Sequence, residues 1–94
     1  MAHPTDVIKR DGQRPSESFD RAKLHTSVRA ACLSVRSPDG EAETIAADVC
    51  NAIEAWLAGK LEITSSDLRR KATEALGSFH PEAAYLYKHH RLVM

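Results

Sequence analysis

The chain has 94 residues, with 13 basic and 13 acidic side chains, so its formal net charge is zero. This length allows one small domain, and a content of 43% hydrophobic and 28% charged residues excludes a disordered or fibrous chain. No apolar run approaches the roughly 18 residues that span a bilayer. Two cysteines, Cys32 and Cys50, are too few for a disulfide scaffold, so we expect a cytoplasmic, non-membrane protein with buried thiols.

An N-terminal β-hairpin is predicted over residues 6–18, after a short flexible segment at the N-terminus (residues 1–5). Val7 to Arg10 has the composition of a strand, and Asp11-Gly12 suits the positive φ angles of a tight turn. Pro15 cannot donate to a ladder, so the returning strand is expected at an edge of the sheet. The segment 61–63 is a candidate third strand.

The first two helices are predicted over residues 20–36 and 41–58. Asp20 is a candidate N-cap for the first helix, and Ser37-Pro38-Asp39-Gly40 is expected to separate the two. In each helix, apolar residues recur at the spacing of a single face. Gly59 stands where a left-handed C-cap is expected for the second helix.

Two further helices are predicted over residues 65–77 and 81–93. Thr64 begins a sequence that resembles a capping box, Gly77 is expected to end the third helix, and Pro81 suits the first position of the fourth. Aromatic residues make up only 5% of the chain, which favours closely packed helices over a bulky β-core. The expected fold is therefore mainly α, a four-helix domain with a small β-hairpin or three-stranded cap.

Motifs that carry catalysis are missing from the sequence. It contains no GxGxxG, GxxxxGK[ST], HExxH or GxSxG, so we do not expect an enzyme. His89 and His90 are neighbours that point about 100° apart on a helix, which favours a solvated helix end over a metal site. His25 and His80 are isolated, and each is expected to be a capping or surface residue.

The most informative sequence runs from the hairpin into the first helix. It reads Val7-Ile8-Lys9-Arg10-Asp11-Gly12, then Glu17, then Phe19-Asp20-Arg21-Ala22-Lys23-Leu24. Together with Ile63-Thr64-Ser65-Ser66-Asp67-Leu68 and Tyr85, it resembles the ATP-cone family over nearly the whole chain from Val7 onward. The pairing of KRDG with FDxxK at this spacing is moderately specific, whereas KRDG alone occurs in many unrelated hairpins.

The resemblance implies a non-catalytic domain that binds ATP or dATP, with Mg²⁺ accompanying the nucleotide, as an allosteric signal. Such domains usually stand at the N-terminus of ribonucleotide reductase subunits, or follow a zinc ribbon in the repressor of reductase genes. Neither companion is present in this sequence, so we expect a free-standing domain or a piece of a larger protein. The expected partners are a second copy of the chain, a ribonucleotide reductase subunit, or another protein of nucleotide metabolism.

The resemblance also implies which residues of the hairpin and first helix hold the nucleotide. Lys9 and Lys23 would bind phosphates, which need several converging cations and donors. Backbone groups from Val7 to Arg10 would bind the adenine edge, because a strand edge carries unpaired donors and acceptors, and Glu17 would accept from the base or ribose. Two simpler interpretations stay open: Lys9 and Lys23 are solvated surface residues, and Glu17 forms an ion pair with Arg14.

A second group of implied ligands lies in the last two helices. Ser65 is at a helix start, where N–H groups and the helix dipole favour an anion, and Arg69 follows one turn later. Lys88 or Arg91 would replace a basic residue that the family often carries near the phosphates. For Ser65, simple N-capping is an equally good explanation at this stage.

Two other kinds of function are alternatives. One is a small DNA-binding domain that reads DNA with the helix starting at Ser66, but zero net charge argues against DNA as a partner of this chain. The other is a protein-interaction domain without a ligand. For a nucleotide-responsive domain we expect self-association through helices one and four, where Tyr85, Tyr87, Leu92 and Val93 would add apolar surface.

Overall fold

The computed structural model describes residues 5–8 and 16–90, which form four helices and a three-stranded sheet. Their order along the chain is β1 (Asp6–Ile8), β2 (Glu17–Ser18), α1 (Arg21–Ser34), α2 (Asp39–Leu57), β3 (Glu62–Thr64), α3 (Ser65–Phe79) and α4 (Pro81–His90). The expected mainly α fold with a small three-stranded cap is confirmed. The predicted hairpin turn at Asp11-Gly12 lies outside the described residues.

The sheet has the order β2-β1-β3, with β1 in the middle. β1 pairs with β2 in antiparallel fashion, with Val7 opposite Glu17, and with β3 in parallel, with Val7 opposite Ile63. The predicted third strand therefore exists, one residue later than expected. Because α3 starts at the residue after β3, the parallel pairing places the N-terminus of α3 beside the end of β1.

Local signals set most of the helix ends. The Asp20 carboxylate caps α1 by accepting from the backbone N–H groups of Ala22 at 2.9 Å and Lys23 at 3.4 Å, as predicted. Gly59 has a φ of 81° just after α2, which confirms the predicted left-handed residue. The Pro81 start of α4 also agrees with the sequence.

Three helix boundaries differ by two residues from their predicted positions, and the start of α1 and the end of α2 differ by one. α1 ends at Ser34 rather than at residue 36, because Arg36 adopts a φ of 64° and its N–H turns back to the Leu33 carbonyl at 3.0 Å. α2 begins at Asp39 rather than at residue 41, since acidic residues in the first turn are favoured by the helix dipole. α3 continues through Gly77 to Phe79, because packing against α4 outweighs the low helix propensity of glycine.

The core lies where α1 packs on α2 and α3 packs on α4, with further contacts of α2 with α3 and of α1 with α4. Apolar faces of all four helices meet there, and both cysteines are buried free thiols, as predicted. Burial raises the pKa of Cys50 to about 11. None of the described helices has the length and apolar character needed to cross a membrane.

Candidate functional site

The sheet gathers residues from both ends of the chain around β1. The Phe19 N–H donates to the Thr5 carbonyl at 2.8 Å, which holds the entry to α1 against the start of β1. α3 contacts β1 from the other side. The candidate ligands on β1, β2, α1 and α3 thus belong to one region of the molecule, whereas Lys9, Arg10 and Arg91 lie outside the described residues.

Lys23 and Glu17, two of the candidate ligands, form an ion pair. The Lys23 ammonium lies 3.2 Å from a Glu17 carboxylate oxygen, and the two side chains are 43% and 54% exposed. The nearby N-terminus of α1 is already capped by Asp20, so its first N–H groups are engaged. An anion at this place would therefore be bound by the Lys23 side chain rather than by the helix terminus.

The free strand edge expected at Val7 is not found there. β1 is the central strand, so Val7 is paired on one side with β2 and on the other with β3, and its side chain is buried in the core. Within the described residues the ladder with β2 ends at Val7, and Ile8 is paired with Thr64 of β3. Backbone groups of β1 alternate between its two neighbours: the Thr5 carbonyl accepts from Phe19 on the β2 side and the Asp6 N–H donates to Leu61 on the β3 side, so those of Ile8 face β3. The rest of the segment expected to bind the adenine edge, Lys9 and Arg10, lies outside the described residues.

At the start of α3, capping is performed by Thr64 and not by Ser65. The Thr64 hydroxyl oxygen accepts from the Asp67 N–H at 3.0 Å, and Ser65 is the first helical residue. The capping explanation that was open for Ser65 is therefore wrong. A half-buried serine hydroxyl and the first N–H groups of α3 remain near the end of β1.

Arg69 differs from the two cations that follow it on α3. Arg70 pairs with Asp67 at 3.3 Å and Lys71 pairs with Glu74 at 3.4 Å. For the half-buried Arg69, no carboxylate of the described residues lies within ion-pair distance. A cation shielded from water without an acidic partner is suited to bind an anion from solution.

Tyr87 is the residue of this region that sequence reasoning misplaced. It was expected on the apolar surface of the last helix, but it is only 1% exposed, and its hydroxyl lies 3.2 Å from the Ser27 hydroxyl of α1. Burial raises the pKa of Tyr87 to about 12, against the opposing effects of the Ser27 hydrogen bond and the Arg69 charge. Tyr87 follows Ala83 by four positions and Ala84 by three, a spacing that places all three residues on the buried face of the helix, and this spacing could have predicted its orientation.

The remaining sequence candidates lie at the surface. Lys88 is exposed on α4, one residue beyond Tyr87. His25 pairs with Glu43 of α2 at 3.2 Å, and the His80 Nδ1 accepts from the Ala83 N–H at 3.3 Å. The capping role expected for His80 is confirmed. No group of three or more potential metal ligands occurs among residues 5–8 and 16–90.

The chain is thus a small helical domain in which Lys23 of α1 and the Thr64-capped N-terminus of α3 adjoin a strand cap. The model of the ATP cone domain matches residues 5–91, and the chain belongs to the ATP-cone family. Members of this family are regulatory domains that bind ATP or dATP as allosteric effectors. The family assignment based on the hairpin and first-helix residues is thereby confirmed.

Curated relatives of the chain carry the name transcriptional repressor NrdR. The protein of Thermosynechococcus vestitus is 35% identical over 83 residues, covering 88% of this chain and 48% of the relative. That of Thermosipho melanesiensis is 34% identical over 92 residues, covering 94% and 58%. That of Microcystis aeruginosa is 35% identical over 83 residues, covering 88% and 46%. The chain thus spans about half the length of these relatives, and no solved structure matches it significantly.

Proposed function

We propose that this chain is a non-catalytic adenine-nucleotide sensor that binds ATP or dATP and contributes to the control of ribonucleotide reductase. Membership of the ATP-cone family and the repressor names of its relatives support the proposal. The structural observation that carries it is Arg69, a half-buried cation without an acidic partner among the described residues, on the helix whose N-terminus adjoins β1.

The triphosphate is proposed to lie between the starts of α1 and α3. It carries close to four negative charges, which need several converging cations and N–H donors. Arg69 and Lys23 would supply charge from the two helices, and Ser65 would supply its hydroxyl and the positive end of the α3 dipole. We propose Lys9 and either Lys88 or Arg91 as additional phosphate ligands from the family resemblance.

The base and ribose are proposed to bind at the end of β1. Val7 and Ile8 both lie in paired positions of β1, so the adenine edge would meet backbone groups of Lys9 and Arg10. Glu17 would accept a hydrogen bond from the base or the ribose with one carboxylate oxygen, while the other oxygen keeps its ion pair with the Lys23 ammonium. Mg²⁺ is proposed to enter with the triphosphate, whose oxygens are ligands that this ion prefers.

The nucleotide signal is proposed to leave the domain through a surface that changes with the bound ligand. Self-association, or contact with another part of a larger regulator or with a reductase subunit, would provide such an output. Because the relatives are named transcriptional repressors, the earlier expectation that DNA is not a partner is not supported, although zero net charge remains a property of this segment. Tyr87 is buried, so among the tyrosines of α4 only the exposed Tyr85 can contribute to an interface.

The proposal is tested by titrating the purified chain with ATP, dATP, GTP and adenosine in a calorimeter. ATP and dATP are expected to bind with preference over GTP, and without release of phosphate. At about 100 times the dissociation constant the fold should gain about 2.7 kcal/mol, a melting shift of several degrees for a domain of this size. Absence of binding at millimolar ATP would refute the proposal.

Two adjacent arginines provide a matched pair of variants. Arg69→Ala is expected to weaken ATP binding by about 1.5 to 3 kcal/mol, because it removes a charge-assisted contact. Arg70→Ala is expected to bind ATP as the unmodified chain does, since its guanidinium is engaged by Asp67. Equal affinities of the two variants would exclude Arg69 from the phosphate site.

A further inference from the structure

Glu17 and Lys23 form an ion pair whose two ends are held by different elements. Glu17 lies in β2, opposite Val7 of the central strand, and Lys23 lies in the first turn of α1, where its backbone N–H is engaged by the Asp20 cap. The Lys23 ammonium donates to a Glu17 carboxylate oxygen at 3.2 Å. Because both backbone positions are fixed, the carboxylate is kept beside the ammonium that we propose as a phosphate ligand.

The start of α1 therefore presents little net positive charge to an anion. Lys23 is paired with Glu17, and Arg21, the first residue of α1, is paired with Glu54 of α2. In contrast, no carboxylate of the described residues lies within ion-pair distance of Arg69 on α3. The two sides of the proposed phosphate site thus differ in charge, and Glu17 contributes to the difference.

A carboxylate at this place must repel a bound phosphate. A phosphate oxygen bound by Lys23 would lie about 2.8 Å from the ammonium, and therefore no more than about 6 Å from the Glu17 carboxylate oxygen. This separation is shorter than the Debye length of about 10 Å at 0.1 M salt, so the repulsion is only partly screened. Its size grows with the negative charge of the ligand, and it is absent for adenosine.

Neither stability nor nucleoside binding accounts for the negative charge of Glu17. An ion pair between side chains that are 43% and 54% exposed contributes little to stability. A glutamine in the same position would offer the base or the ribose a hydrogen-bond acceptor without repelling the phosphates. What the carboxylate adds over an amide is a charge that acts on the phosphate part of the ligand.

We infer that Glu17 is a selectivity-determining residue that grades adenine nucleotides by their charge: its carboxylate lowers the gain in affinity that each added phosphate gives. This inference rests on the proposed nucleotide site. It assigns opposite contributions to the two members of the ion pair, because Lys23 strengthens the binding of phosphates and Glu17 weakens it. A domain that follows changing nucleotide concentrations needs such a limit, since its ligand must dissociate readily.

The test compares Glu17→Gln with Glu74→Gln in titrations with adenosine, AMP, ADP and ATP, without Mg²⁺ so that the full charge of each ligand acts. Glu74 forms the same kind of ion pair with Lys71, at 3.4 Å and outside the proposed site, so its variant is a control with the same change in net charge. At about 0.1 M salt, Glu17→Gln is expected to raise the affinity for ATP roughly 3- to 10-fold, with smaller gains for ADP and AMP and none for adenosine. Glu74→Gln is expected to leave all four affinities unchanged.

The pattern across ligands and salt separates this role from other roles of Glu17. The gain for ATP is expected to disappear at about 1 M salt, where the Debye length is about 3 Å. A loss of ATP affinity in Glu17→Gln, or an equal change for adenosine and ATP, would overturn the inference while leaving the nucleotide site intact. Equal gains in Glu17→Gln and Glu74→Gln would also overturn it, because they would reflect net charge alone. Failure of the unmodified chain to bind ATP would refute the proposed function itself.

Discussion

Replacing Lys23 by alanine separates the contribution of this residue to binding from its contribution to folding. Its ion pair with Glu17 is at the surface, with both side chains about half exposed, and such pairs contribute about 0 to 1 kcal/mol. The Asp20 cap uses the Lys23 backbone N–H, which alanine retains. The free energy of unfolding, measured by urea denaturation, is therefore expected to change by less than about 1 kcal/mol.

The effect on ATP binding is expected to be larger than the effect on stability. Loss of a charge-assisted contact with a phosphate costs about 1.5 to 3 kcal/mol, which weakens binding about 10- to 150-fold. Adenosine, which lacks phosphates, should bind Lys23→Ala as it binds the unmodified chain. The loss should diminish with added salt, because the Debye length shortens from about 10 Å at 0.1 M to about 3 Å at 1 M.

The control is Lys60→Ala, whose ammonium lies 5.4 Å from the centroid of the Trp56 ring, outside the proposed site. Calorimetric titrations of the three proteins under the same conditions provide the comparison. If Lys23→Ala and Lys60→Ala bind ATP equally well, then Lys23 does not contact the phosphates. If Lys23→Ala loses adenosine binding as well, the lysine acts on the shape of the site and not on its charge.

Three further predictions concern stability. Leu76→Ala is expected to lower the free energy of unfolding, measured in urea, by about 2 to 5 kcal/mol, because the Leu76 side chain is 0% exposed. Leu61 is 80% exposed, so Leu61→Ala is expected to lower it by no more than about 0.5 kcal/mol. Arg36→Gly is expected to raise the free energy of unfolding by about 0.5 kcal/mol, because glycine adopts the φ of 64° found at Arg36 without strain. A decrease in the free energy of unfolding would show that Arg36 is unstrained. The fold raises the pKa of Cys50 from 9.0 to about 11 and the pKa of Tyr87 from 10.0 to about 12. A raised pKa means that the protonated form stabilises the fold. The contribution of both groups is therefore complete below pH 9 and is lost as the pH rises through 11 for Cys50 and through 12 for Tyr87. Unfolding free energies from pH 8 to 11 should therefore fall above pH 9, less steeply in Tyr87→Phe, and equal slopes would contradict the shift for Tyr87.

Features that depend on a few neighbouring residues could be predicted from the amino-acid sequence. Asp20 caps α1 and Gly59 follows α2 in a left-handed conformation because each interaction is completed within one helical turn. Apolar periodicity likewise predicted the four helices and their buried faces. The family resemblance was also carried by short local runs, so it too was accessible without the structure.

Features that join distant parts of the chain became visible only in the folded domain. The parallel pairing of β1 with β3 made Val7 part of a central strand, and the α3–α4 contact carried α3 past Gly77. Ser27 and Tyr87 are 60 positions apart and share a buried hydrogen bond, which the sequence around either residue does not predict. Such contacts depend on which helix faces meet when the core excludes water, and that choice minimises a free energy of the whole domain rather than of any one segment.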